Sequence, residues 1–308
     1  MAAGPRAGTR AAQRRRRRAV TLILGLPLLL TGAVAGVVAV LEALETRGPI
    51  IERCDAMLTK SVRFSLAPDQ ADNAALLAAV ALHRGLPARA ATIAIATAFQ
   101  ESKLRNIDYG DRDSLGLFQQ RPSQGWGTPD QVMNPVYATN AFYDALVSVV
   151  DYRTLPVTEA AQRVQRSAFP NAYADHEQMA RAFASGLTGY SRNALWCHLR
   201  GTTGEERANA AAAVLARLDR DFVTIDATLR EDGSVVVDAR SLLAGADAED
   251  ASRLAWAVGQ WAVATASETG VTRVAADGMA WDRASRETGW LPDDDEAGTL
   301  GPGLVVIR

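Results

Sequence analysis

The chain has 308 residues, 48% apolar, 22% charged and 6% aromatic, enough for roughly two domains and incompatible with disorder or a fibrous repeat as a whole-chain description. Its formal charge of -2 conceals an asymmetry: Arg6, Arg10 and Arg14 to Arg18 occupy the first 18 residues without an acid, leaving 26 of the 33 bases against 35 acids. A body near -9 has the wrong sign for clustered phosphate contacts, which excludes a nucleic-acid-binding function.

From Ala19 to Leu41 no residue is charged. As a helix this stretch would span ~34 Å, against a hydrocarbon core of ~30 Å. The arginines before it are expected to stay cytoplasmic, which makes 19–41 a single transmembrane helix with residues 1–18 inside and the bulk exported. A cleaved signal peptide is the alternative, with Ala33-Val34-Ala35 as a small-x-small cleavage site. One span cannot form a transport pathway by itself. Gly32 and Gly36 make a GxxxG that could pack two anchors together.

Residues 50–64 carry helical spacing in Ile50, Ile51, Cys54, Met57 and Leu58, and Ala67-Pro68-Asp69 reads as a stop followed by a new helix running to about Arg84. Gly85-Leu86-Pro87 ends it. Ala88 to Glu101 (ARAATIAIATAFQE) is so rich in alanine and aliphatics that it must be buried on most of its surface. The next stretch, NIDYGDRDSLGLFQQRPSQGWG, is dense in Gly, Asp, Ser and Pro and predicts tight turns. Helical patterns return at 135–150, 157–167 and 174–184, giving a mainly α domain over 50–200 with one turn-rich insertion.

Past the polar link GTTGEER, a helix is predicted over 205–219, then strands Phe222 to Leu229 and Ser234 to Ala239 around Asp232-Gly233. Asp247 to Thr269 reads as helix, Val271 to Ala276 and Met279 to Asp282 as strands flanking a second Asp-Gly, and Leu304 to Ile307 as a last strand. Residues 205–308 therefore read as a small α+β domain. Asp293 to Glu296 is expected to be a solvated loop, and no catalytic grouping stands out in this domain.

Only Cys54 and Cys197 are present, and an exported location favours their pairing across 143 positions. His83, His176 and His198 are too scattered for a metal centre. His176-Glu177 opens like a zinc-protease helix, but Ala180 stands where the second histidine belongs. No GxSxG or GxxxxGK occurs, and Lys60 and Lys103 are the only lysines. Neither a metal nor a cofactor is expected.

Glu101 ends the buried helix and opens the turn-rich segment. The partial negative charge of the helix terminus and a partly apolar wall both favour the protonated form, as a general acid requires. Here the chain resembles the lysozyme-like lytic transglycosylases, and within them an actinobacterial group of exported proteins. In that family the catalytic glutamate is followed by serine and later by a Gly-Leu-Met/Phe-Gln block. Here Glu101-Ser102 is followed by Gly116-Leu117-Phe118-Gln119 at the same offset, and Asn134-Pro135-Val136 leads into Phe142-Tyr143-Asp144-Ala145-Leu146 as in the family's Asn-aliphatic and Tyr-Leu segment. The resemblance covers about 75 to 185. Two positions depart from it: Gly110 replaces a hydroxyl residue common among relatives, and an Ala-Tyr-Asn-Ala-Gly block is missing, with Gln165, Ser167 and Tyr173 in its region.

The resemblance implies a lysozyme-like fold for 50–200 and cleavage of the bond between N-acetylmuramic acid and N-acetylglucosamine in peptidoglycan. Glu101 would protonate the glycosidic oxygen and then deprotonate the C6 hydroxyl, giving a 1,6-anhydro product without a second carboxylate. Hydrolysis would need one, for which Asp108, Asp111 and Asp113 are the candidates, although each also suits a turn. Ser102, Gln119, Gln120, Trp126 and Tyr173 are candidate sugar contacts, through amide hydrogen bonds and aromatic faces. Phe118 is expected to pack inward, and Arg121 could meet a stem-peptide carboxylate. The alternative function is a non-catalytic lysozyme-fold protein that binds glycan or acts as a scaffold in the envelope, with residues 205–308 contacting a protein partner.

Overall fold

The computed structural model describes residues 36–37, 51–167, 171–285, 289–293 and 301–308. The predicted anchor at 19–41 lies outside the described residues, apart from Gly36 and Val37. No helix among the described residues is long and apolar enough to cross a membrane. Residues 51–308 form one compact unit, mixed α+β, about half helical and with two small sheets.

The expected helix over 50–64 is instead a hairpin of β1 (Arg53–Thr59) and β2 (Val62–Leu66). Thr59 closes the turn by accepting the amides of Ser61 and Val62 on its hydroxyl. β1 lies between β2 and β3 (Leu195–His198), antiparallel to both. Pairing on two edges satisfies its backbone and overrides a helical spacing read from few apolar residues. The register sets Cys54 opposite Cys197, and the two form the expected disulfide.

α1 (Pro68–His83) and α2 (Ala88–Ser102) follow as predicted, with Pro68 in the first turn of α1, where its missing N–H costs nothing. Ala90, Ala91, Ile93, Ala94, Ile95 and Ala96 of α2 are all fully buried. Each isoleucine there contributes roughly 1.5–3 kcal/mol by burial. α3 (Pro129–Met133) packs on α4 (Pro135–Val147), and α4, α5 (Val157–Gln165) and α6 (Glu177–Leu187) pack on α2. α3 escapes the sequence reading because it has only five residues; Thr128 and Gln131 close its start as a capping box.

The six-stranded antiparallel sheet runs in the order β4-β5-β9-β6-β7-β8, with β4 at Asp226–Leu229, β5 at Val235–Asp238, β6 at Arg273–Ala276, β7 at Met279–Asp282, β8 at Leu291–Pro292 and β9 at Leu304–Ile307. α7 (Gly204–Phe222), α8 (Ala248–Ala264) and the short α9 (Ala266–Thr269) accompany it.

Buried polar groups join the two sequence regions. Gln260 on α8 is fully buried; its Oε1 accepts the amides of Ala194 and Leu195, and its Nε2 donates to the carbonyls of Gly186 and Ser191. Trp281 and Trp290 donate to the carbonyls of Cys197 and Leu195 at 3.1 and 2.8 Å. Arg217 on α7 bridges Asp72 of α1 (2.7 Å) and Asp221 (2.8 Å), and Asp221 also accepts from Arg220 and Trp261. Asp293 is not solvated as expected: it is buried, and its carboxylate takes Arg273 at 2.7 Å, because a buried carboxylate requires a counter-charge.

Candidate functional site around Glu101

α2 ends in two left-handed residues, Lys103 and Leu104, whose amides turn back to the carbonyls of Phe99 and Ala98. Gln70 and Asn73 of α1 donate to the carbonyls of Lys103 and Leu104, both at 2.8 Å. The helix terminus is thereby fixed from outside, and Glu101 sits half-buried in its last turn.

Ser102 is buried rather than offered to a ligand. Its hydroxyl meets the carbonyls of Ala98 and Leu117 at 3.0 and 2.7 Å and accepts the amide of Arg105. It therefore ties the end of α2 to the Gly116–Gln119 block. Leu115 and Gln120 exchange backbone hydrogen bonds across that block at 3.0 Å each. Gly116 at its corner has φ +77, and a Cβ there would meet the carbonyl of Val132 at 2.6 Å, so no other residue fits without movement. Phe118 is fully buried and stacks on Phe142 with centroids 4.3 Å apart, facing inward as expected.

Gln119 and Gln120 diverge. Gln120 is buried and donates to the carbonyl of Ala138 at 3.1 Å, which removes it from the ligand-facing set. Gln119 stays half-buried and donates to the carbonyl of Tyr109 at 3.2 Å. A Cβ on Gly110 would collide with Gln119 Oε1. Gly110 thus leaves room for the Gln119 amide.

Tyr173 is also fully buried, so its ring offers no stacking face. Its hydroxyl donates to Glu101 Oε1 at 2.7 Å and also bonds the Ser167 side chain. Burial, followed by the Glu101 carboxylate, holds the phenol well above its ordinary pKa, so it remains a donor. Gln165 donates to the carbonyl of Phe118 at 2.8 Å. Tyr173 and Gln165 therefore reach the glutamate and the Gly-Leu-Phe-Gln block, respectively. Among the described residues no cation forms an ion pair with Glu101.

The three aspartates differ in their engagement. Asp113 accepts Arg121 Nε (3.0 Å), the Ser123 amide (2.7 Å) and the Ser123 hydroxyl (2.9 Å), and these bonds, led by those of Ser123, hold its pKa far below the usual carboxylate range. Asp113 thus closes its own loop, and it engages Arg121 as well. Asp108 and Asp111 are exposed, and none of the three bonds to Glu101 among the described residues. Trp126 is half-buried and lines a cavity of about 730 Å³ together with Gln124, Val149, Arg163, Gln165 and Arg166.

One neighbour escaped the sequence reading. His176 meets Gln100 Oε1 at 2.8 Å and lies against the ring of Phe99, centroids 4.8 Å apart. Burial, then Lys103, lowers its pKa. Nothing local marks this contact, because the partners are 76 residues apart in sequence. Among the described residues no group of three His, Cys, Asp or Glu is arranged to hold a metal ion.

No family model matches the chain, and no curated protein matches it.

Proposed function

We propose that this protein is a membrane-anchored lytic transglycosylase of lysozyme-like type, cleaving the bond between N-acetylmuramic acid and N-acetylglucosamine in peptidoglycan. The observation that carries this reading is the hydrogen bond from the buried Tyr173 phenol to Glu101, a half-exposed carboxylate with no cation paired to it among the described residues. Such a group is oriented and is not committed to an ion pair, as a general acid requires. Glu101 donates its proton to the glycosidic oxygen. As the leaving sugar departs, the resulting carboxylate takes the proton of the C6 hydroxyl, whose oxygen closes on C1. The Tyr173 hydrogen bond orients Oε1 in both steps.

The engagement of Asp113 with Arg121 and Ser123 favours internal attack over hydrolysis, because it withdraws one of three candidates for a second carboxylate. The 730 Å³ cavity beside Trp126 and Gln165 has the aromatic and amide groups that suit glycan. Residues 19–41 hold the enzyme at the membrane, and residues 205–308 offer a surface to an envelope partner.

Mass spectrometry of peptidoglycan incubated with the full chain in detergent tests the reading, beside the Glu101→Gln variant. Anhydro-muropeptides from the first and none from the second are expected. Reducing-end products would replace the transglycosylase with a hydrolase. No products, with both proteins retained on the wall, would leave a glycan-binding scaffold.

A further inference from the structure

A second cavity, of about 410 Å³, opens where α7, β6, the end of β7 and the C-terminal residue meet. Its size falls within the range of small-molecule sites, roughly 300–1,000 Å³. Four arginines line it, Arg207, Arg273, Arg283 and Arg308, against a single acid, Asp282. No residue of the Glu101 site takes part.

Arg283 is the unusual member. It is 6% exposed, and its guanidinium donates to the carbonyls of Arg200 (2.7 Å), Ala266 (2.8 Å) and Val271 (3.1 Å). Three carbonyl dipoles orient the group but supply no full counter-charge, and no carboxylate forms an ion pair with it among the described residues. A buried cation without a counter-ion is costly unless an anion reaches it. Burial, then repulsion from Arg200, pulls its pKa down, offset in part by the more distant Glu206 and Glu52 carboxylates. Arg207 is exposed, and its side chain reaches only the Thr202 hydroxyl, at 3.4 Å. Arg273 is engaged by Asp293 at 2.7 Å, and Arg308 by Asp232 at 3.7 Å.

A neighbouring cavity of about 300 Å³ shares Arg207 and Arg308, includes the Asp232 carboxylate that pairs with Arg308, and continues along Ala211, Val214 and Ile307. Cationic and apolar walls are thus contiguous. We infer that this groove binds a phosphate-bearing ligand, with the phosphate at Arg207, Arg283 and Arg308 and a small apolar body along Ala211, Val214 and Ile307. Phosphate fits better than carboxylate because guanidinium groups from separate elements enclose the cavity, and a tetrahedral oxyanion offers acceptors in more than one plane. A lipid headgroup and a soluble phosphate ester share this chemistry.

Isothermal titration of the full chain in a non-ionic detergent tests the inference. Phenyl phosphate is expected to bind with a Kd below about 1 mM, and phenylacetate, which places a carboxylate on a similar body, about tenfold more weakly. Arg207→Gln and Arg308→Gln should each weaken phenyl phosphate about tenfold, while Arg153→Gln, at an exposed arginine elsewhere, leaves it unchanged. Monomeric dihexanoyl phosphatidylglycerol binding more tightly than phenyl phosphate assigns the site to a lipid headgroup; the reverse assigns it to a soluble ester. Should Arg283→Gln fail to fold by circular dichroism, the Arg207 and Arg308 variants decide the outcome. The inference is overturned if neither phosphate probe binds below about 1 mM, if phenylacetate equals phenyl phosphate, or if both peripheral variants bind as the parent does.

Discussion

Glu101 and Asp221 each stand in the last turn of a helix, yet their surroundings are opposite. Asp221 is buried and held by Arg217, Arg220 and the Trp261 indole, whereas Glu101 is half-buried and, among the described residues, is bonded by the neutral phenol of Tyr173. A carboxylate closed off from water needs its charge matched, and once matched it is committed to structure. A half-exposed carboxylate can be left without a cation, because water solvates its charge. The contrast separates a group that holds the fold from one that can act on a substrate.

The largest effect that tests this contrast is expected at Glu101. Glu101→Gln should lower release of glycan fragments by about 10²–10⁴-fold with an unchanged melting temperature, as measured by product release and calorimetry on one preparation. A parallel loss of melting temperature would make Glu101 a structural group like Asp221. Asp221→Ala should do the reverse, removing about 3–5 kcal/mol of stability by leaving Arg217 buried with one partner fewer; urea unfolding measures it. Retention of that stability would mean that Asp72 alone suffices for Arg217.

Replacing both Cys54 and Cys197 by serine should cost about 2–4 kcal/mol, because the bridge closes a long loop. The same unfolding series reads this loss, and an unchanged midpoint would show that the β1–β3 pairing holds without the bridge. Tyr173→Phe should be milder, roughly 1–2 kcal/mol and about tenfold in turnover, and an altered pH–rate profile would mark it as a positioning residue for Glu101.

The smallest effect concerns pH. Burial first, then Lys103 for His176 and Arg53 for His198, depresses both imidazoles below 6.5. The unfolded chain then takes up protons near 6.5 while the folded chain does not. Their contribution is complete above that value and declines as pH falls towards the folded values. The urea midpoint should decrease from about pH 7 to about pH 5, and His176→Gln with His198→Gln should flatten the slope. Asp113 does not enter this window, because its carboxyl is held below 3.8.

Legibility followed the range of the interactions. α1 and α2 were readable because the Ala67-Pro68-Asp69 start, the Gly85-Leu86-Pro87 break and the alanine-rich run act within a turn or two of chain. The hairpins at Asp232-Gly233 and Asp277-Gly278 announced themselves in the same way. The stretch at 50–64 did not, since β1 is a strand only because β2 and the distant β3 pair with it. Asp293 likewise resembled a solvated acid until Arg273, 20 residues away, was placed against it.

The site divides along the same line. Residue type and local spacing were enough to mark the glutamate at a buried helix end, the Gly-Leu-Phe-Gln block and the two cysteines. Long-range packing settles that Ser102, Gln120 and Tyr173 turn inward, that Asp113 closes its own loop, and that residues 51–308 pack as one unit. Which way a polar side chain faces depends on which carbonyls, amides or charges lie within about 3 Å of it. Those neighbours arrive from distant elements, as Arg217 reaches Asp72 across 145 residues of chain.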